Sequence, residues 1–300
     1  MAAVNTGAIR SNSFPSSVSF GGSDPLSQVL TGVALVATVY FTMLFAEYIY
    51  QSYLGMFRDR VELFPNTYAS GSLSYTAIQD PQSPLAKTVY TSDNQRSGVE
   101  FSYSLFCYIT SDTFAAGNDN LYHILHKGYS KPYPLMGPGL FMKGNTNTLR
   151  VYMNSYSTWN NYADIDNIPI EKWVHIVVSC KGNQLYVYIN GNLKTKMNLD
   201  KNTPPYQNYG DIYLFSQRKG ITLSSSTVPS LLTGTGTGAG NPSVTFNGAA
   251  KGLASRVFYF AYALTYTEIQ NLISMGPSTV MEGVKMSITP YLTDQWWTNA

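Results

Sequence analysis

The chain has 300 residues, of which 12% are charged, about half the share of an average soluble domain. Its 19 basic and 17 acidic side chains leave a net charge of +2. That balance excludes a nucleic-acid binder driven by bulk electrostatics and a disordered charged tail. Polarity comes instead from Ser, Thr, Asn and 24 tyrosines, and 44% hydrophobic content supplies a sizeable core. A surface this poor in charge is suited to being covered by a membrane, by partners or by both.

Residues 1–24 read as a flexible Ser/Gly-rich tail. An apolar run follows from Leu26 to Ala46, with no charge between Asp24 and Glu47. As a helix rising 1.5 Å per residue it covers about 31 Å, the hydrocarbon thickness of a bilayer. Leu26, Val29, Leu30, Val33, Leu35, Val36, Val39, Phe41, Leu44 and Phe45 would face lipid. Tyr48, Tyr50 and Tyr53 come next, where an aromatic belt meets the headgroups. Pro25 suits the first helical turn. The alternative is a long buried helix of a soluble domain. The preceding segment is too long and too neutral for the n-region of a signal peptide, and no small-residue cleavage site ends the run. The segment therefore reads as a single transmembrane anchor, with 25–60 as anchor and juxtamembrane stretch.

Arg58 and Arg60 follow the span and only Arg10 precedes it, which places the C-terminal domain on the cytoplasmic side. The chain holds no Asn-X-Ser/Thr acceptor; Asn202-Thr203-Pro204 and Asn241-Pro242-Ser243 are near misses. The two cysteines, Cys107 and Cys180, are too few for a disulfide framework. They read as buried reduced thiols, with one bridge between them as the alternative.

From about residue 70 the pattern changes to period 2. Val99, Phe101, Tyr103, Leu105, Cys107 and Ile109 alternate onto one face of a strand. Short strands are predicted over 121–125, 149–153, 173–180, 184–189, 211–215 and 254–262, separated by turn signals. Asn190-Gly191 predicts a type I′ hairpin. Many short strands without alternating helices define an all-β sandwich or barrel over 70–276. Thr222 to Pro242 is a low-complexity Gly/Thr/Ser loop within it, and 277–300 is an extension carrying Trp296-Trp297. One helix is predicted from Tyr266 to Met275. Thr265 and Glu268 form a capping box, Leu264 and Ile269 a hydrophobic staple, and Gly276-Pro277 the stop.

These residues carry a resemblance. Trp173, His175, Tyr188, Asn190 and Gly191 resemble the central strand pair of laminin-G-like jelly rolls of the concanavalin A-like lectin/glucanase superfamily. Arg256, Leu264, Glu268 and Ile269 are similar to that family's closing strand and capped helix. The resemblance implies a jelly roll of two antiparallel sheets. Its membrane-anchored form resembles minor capsid and virion-membrane proteins of large DNA viruses.

The chemistry is read against that fold. Glucanases of the family need Glu-x-Asp-x-x-Glu on one strand. The six glutamates here, at 47, 62, 100, 171, 268 and 282, never fall within five residues of one another, so the chain reads as non-enzymatic. His123 and His126 at i and i+3 of a strand point to opposite faces and so do not chelate one metal. His175 reads as structural. The resemblance admits Ca²⁺ at Asp164-Ile165-Asp166-Asn167, though the default is an Asx-rich turn and no cofactor. Tyr156, Trp159, Asn160, Asn161, Tyr162 and Asp164 have the composition of a loop that stacks on a sugar or contacts a protein. Two functions remain. One is a structural link between a bilayer and a shell of other structural or capsid proteins, on the cytoplasmic or capsid-facing side of a membrane such as a virion's internal one. The alternative is a membrane-tethered module that binds glycans.

Overall fold

The computed structural model describes residues 25–71, 74–92, 94–95, 98–132, 135–157, 161–199, 203–224 and 243–283. The chain divides into two compact units, Met1–Met56 and Phe57–Ala300. The first unit contains most of a helix, α1 (Pro25–Asp59). Its segment Pro25–Tyr50 is long and apolar enough to cross a membrane, and none of its apolar window is buried. A membrane anchor and a signal sequence both meet that test. The ten apolar side chains named above are exposed, as are Tyr48 and Tyr50; the side chain of Tyr53 lies outside the described residues. Thr31, Thr38 and Thr42 donate their hydroxyls back to the carbonyls of Ser27, Ala34 and Val39, which satisfies them within the helix.

The second unit is a β-sandwich. One sheet runs in the order β1 (Arg60–Ala69), β15 (Gly252–Phe260), β4 (Gly98–Ile109), β9 (Trp173–Lys181), β10 (Gln184–Ile189), β11 (Asn192–Asn198), with β3 (Asn94–Gln95) beside β4. The other runs β13 (Ile221–Ser224), β14 (Ser243–Ala249), β5 (Leu121–Gly128), β6 (Gly139–Lys143), β7 (Leu149–Met153), β8 (Asn161–Ile165), with β12 (Asp211–Leu214) pairing β5 and carrying β2 (Tyr75–Ala77). Pairing is antiparallel except where β14 lies parallel to β5. Alternation sorts the side chains as predicted. Phe101, Tyr103, Leu105, Cys107 and Ile109 of β4 enter the core between the sheets, opposite Ile124, Leu140, Val151 and Ala163. Val177, Phe258 and Phe260 face outward and are covered by Leu264 and by Ile269 and Leu272 of the helix α2 (Tyr266–Met275).

Local signals hold where one dihedral or one cap decides the structure. Asn190 and Gly191 both have positive φ, 49° and 79°, as a type I′ turn requires. Thr265 accepts the Glu268 amide and Glu268 accepts the Thr265 amide, closing the capping box. The fold signature is likewise structural. Asn190 Oδ1 accepts the His175 amide at 2.8 Å, and His175 Nε2 meets Ser104 Oγ at 2.8 Å. Arg256 sits at positive φ where the β15–β4 register shifts.

Two bounds of the sandwich change, and the alternative for the cysteines falls. The sandwich begins at Arg60, because β1 pairs along β15 and closes that sheet's edge. It extends past the helix, because Met281 bridges to Thr67. A disulfide is excluded by register. Cys107 lies opposite Val174 and Cys180 opposite Phe101, so the thiols are about 20 Å apart along the strands. Both are free and buried. Of the low-complexity loop, Thr222–Ser224 belong to β13 and 225–242 lie outside the described residues, as do Trp296 and Trp297.

Candidate functional site

The residues singled out by composition divide on inspection. Trp159 and Asn160 lie outside the described residues. Tyr156 is exposed and packs edge-on to Tyr206. Asn161, Tyr162 and Asp164 are not in a loop: they form β8, paired to β7. Asn161 and Tyr162 are buried. Asp164 takes two bonds from Arg150, at 2.6 and 2.7 Å, and one contact from Lys143 at 2.8 Å. The Arg150 guanidinium also lies over the Tyr162 ring, 4.3 Å from its centroid. Arg150 is only 4% exposed, and the two cations hold the Asp164 carboxyl below the usual carboxylate range against its burial. Asp166 accepts the Thr148 hydroxyl at 2.7 Å. Asp164 and Asp166, two of the side chains named for sugar or Ca²⁺, are therefore already engaged within the protein. Among the described residues, no group of three or more His, Cys, Asp or Glu is placed to hold a metal.

The concave site lies elsewhere. A cleft of about 780 Å³ opens where β2, β12 and the end of β5 part from the opposite sheet. Phe101, Tyr103 and Tyr259 reach it from that sheet, and Tyr213 from β12. Its remaining lining comes from residues 79–81, 88–91, 127–130, 137 and 207–211. Tyr90, Tyr129 and Tyr209 line it while keeping 53%, 60% and 82% of their surface exposed.

Each wall is built by a specific contact. Buried Gln79 donates to the carbonyl of Lys87 at 2.9 Å and accepts the amide of Val89 at 2.9 Å, folding residues 80–88 into one wall. Gln207 clamps both backbone groups of Ser92. The Tyr259 hydroxyl donates to the Tyr90 carbonyl at 2.6 Å. Gly128 and Gly210 are required by close approach. A Cβ on Gly210 would lie 2.3 Å from the Gly128 carbonyl oxygen, and one on Gly128 would lie 2.1 Å from that of Leu135. Gly210 thus lets the chain entering β12 lie against the end of β5, and Gly128 lets Leu135 fold back over it.

A histidine relay fixes the third wall. Ser216 N–H donates to His123 Nδ1 at 2.8 Å, so that imidazole carries its proton on Nε2. It donates to His126 Nδ1 at 2.6 Å, and His126 Nε2 donates in turn to the Tyr129 carbonyl at 2.7 Å. His126 stacks on Tyr213, which lines the cleft. Burial pushes His126 down to about 4 and His123 well below the usual imidazole range, so both are neutral at pH 7. Opposite faces were expected at this spacing. The ladder to β6 slips between His123 and Leu125, and this bulge turns both rings to one side.

Lys127 is the ammonium of the cleft. It is buried, pushed down to about 8 by that burial with Asp211 acting against it, and donates to the Gly210 carbonyl at 2.7 Å. Asp211 accepts the Gln79 amide at 2.8 Å.

Comparison with known proteins agrees with this architecture. The sequence profile of the concanavalin A-like lectin/glucanases superfamily matches residues 86–228. The second unit is a jelly-roll sandwich of that type, with its short C-terminal helix. Among curated proteins none matches this chain. Solved structures that resemble it include the receptor binding domain of botulinum neurotoxin D, at 12% identity over 70% of this chain and 43% of that one, with a TM-score of 0.42. The binding domain of Paraclostridial Mosquitocidal Protein 1 shares 11% identity over 70% of this chain and 42% of that one, with a TM-score of 0.43. A Trypanosoma rangeli sialidase shares 13% over 60% and 24%, with a TM-score of 0.36. The chain spans less than half the length of these three.

Proposed function

We propose that this chain is a non-catalytic binding module, tethered to a membrane by Pro25–Tyr50, and that its cleft takes a saccharide. The supporting observation is the cleft itself: three solvent-exposed tyrosines around a concave volume of about 780 Å³, within the range of ligand sites. Aromatic faces stack on the apolar faces of sugar rings, and Thr91, Ser130 and the Lys127 ammonium supply hydrogen-bonding groups around them. The non-catalytic reading is supported by the carboxylates' bonds: Asp211 accepts a backbone amide, and Asp80 accepts the Gln82 amide in an exposed turn. The test is a glycan array probed with the full chain in mild detergent. Wild type gives a discrete set of hits and Y129A/Y209A loses them. A blank array, or hits that survive the double substitution, overturns the reading.

The second reading is structural: the jelly roll joins its membrane to a protein shell, as a minor capsid protein does. The 12% charge supports it, because a sparsely charged surface suits permanent coverage by neighbours. It places the domain on the cytoplasmic or capsid-facing side. It predicts co-purification with a shell in mild detergent, and a lone monomer contradicts it. Protease protection of sealed membranes fixes the side: the glycan reading expects an external domain and the structural reading an internal one.

A further inference from the structure

Resting on the saccharide reading, the charges around the cleft assign it a narrower ligand: we propose that it selects a sugar bearing a protonated amine, seated between Asp80 and the tyrosine faces. Three ionisable groups other than tyrosine line the cleft, namely Lys127, Asp80 and Asp211. Two of them compensate each other. Asp211 lies across the ladder from Gly128, beside Lys127, where its charge favours the ammonium, and it accepts the Gln79 amide. Lys127 is buried and gives one of its N–H groups to Gly210. Asp80 is left over. It is exposed, and one oxygen accepts the Gln82 amide at 3.0 Å, leaving the other for a ligand. The lining thus carries one negative charge in excess, beside rings whose faces attract cations.

A uronic or sialic acid would meet that excess charge, and its natural partner, Lys127, is already balanced. A neutral sugar would stack without using Asp80. A free 2-amine uses both Asp80 and the rings. The whole chain carries +2, so general attraction of a cationic glycan to the protein does not produce this preference.

The experiment compares three oligosaccharides of matched length on the full chain in detergent: glucosamine, N-acetylglucosamine and glucuronic acid oligomers, at pH 6.5 and two salt concentrations. The expected order is glucosamine, then N-acetylglucosamine, then glucuronate. The cationic oligomer leads the neutral one by about fivefold at low salt, and by less at high salt. Asp80→Asn, in an exposed turn away from the core, brings that ratio to about one and leaves neutral binding in place. Glucuronate binding as tightly as glucosamine, or an unchanged ratio in D80N, overturns the proposal and leaves the saccharide reading standing. If none of the three oligomers binds and the wider array is also blank, it is the saccharide reading that fails.

Discussion

The cluster on β7 and β8 and the cleft beside β5 contain the same kinds of side chain in opposite conditions. In the cluster, Arg150, Lys143, Asp164 and Tyr162 satisfy one another, and the arginine and tyrosine are buried. In the cleft, the amides of Gln79, Gln207 and Asn208 are used to build walls, and the tyrosines remain open to solvent. Tyrosine, amide and carboxylate in close sequence therefore do not define a binding site. What separates the two regions is how much of the aromatic surface stays open to solvent.

Acid separates them most strongly. Buried His126 and His175 are held neutral, each pushed down to about 4, whereas the unfolded chain protonates them near 6.5. Between those values the unfolded state binds more protons. Stability is therefore full above pH 6.5 and falls as pH drops toward 4, by roughly 3 kcal/mol for each histidine. Asp164 works in a different window. Its lowered carboxyl contributes fully at neutral pH, and that contribution is lost only as pH falls below the ordinary carboxylate range. Denaturant titrations at pH 7, 5.5 and 4.5 should show the histidine loss, and a flat profile would contradict buried neutral imidazoles.

Removing one partner of the cluster is the next largest effect. Asp164→Ala leaves a buried guanidinium without its bidentate acceptor, and should cost about 3–5 kcal/mol in urea melts. Under folding conditions it should leave ligand binding unchanged, because the cleft shares no lining residue with the cluster. Loss of binding in a folded D164A chain would erase the distinction between the two regions.

The cleft responds in the reverse way. Tyr209→Ala and Tyr129→Ala should each weaken saccharide binding about tenfold while shifting stability by less than about 0.5 kcal/mol, since both rings are exposed. Titration calorimetry and thermal melts on the same samples read both. The smallest effect is chemical. Cys107 and Cys180, buried and pushed up to about 12, should resist thiol reagents in the native chain and react once it is unfolded. Rapid native labelling would contradict their place in the core.

What was legible in the sequence follows from how local each feature is. The Asn190-Gly191 turn, the Thr265–Glu268 cap and the alternation of β4 depend on residues within a few positions of one another, and each took its expected form. β8 was read as a loop because Asn-Tyr-Ala-Asp-Ile follows a Ser/Asn-rich run. Its strand character depends on β7, whose Arg150 and Tyr152 lie opposite Asp164 and Tyr162. The histidine pair was misjudged because a bulge, which period-2 reasoning does not contain, reoriented it. The cleft was missed altogether. Its lining comes from widely separated stretches of chain, and what joins them is a glycine contact and two glutamine clamps. Gly128, which follows His126-Lys127, is the available signal, together with isolated tyrosines at 90, 129 and 209.

The central claim is that the cleft, and not the β7–β8 cluster, meets the ligand. Backbone amide hydrogen exchange of the full chain, with and without the best array hit, tests it most directly. Protection gained at residues 88–92, 127–130 and 207–211, with 143–153 and 161–165 unchanged, is the result expected. Protection confined to the β7–β8 segment, or absent from the cleft at saturating ligand, would contradict it.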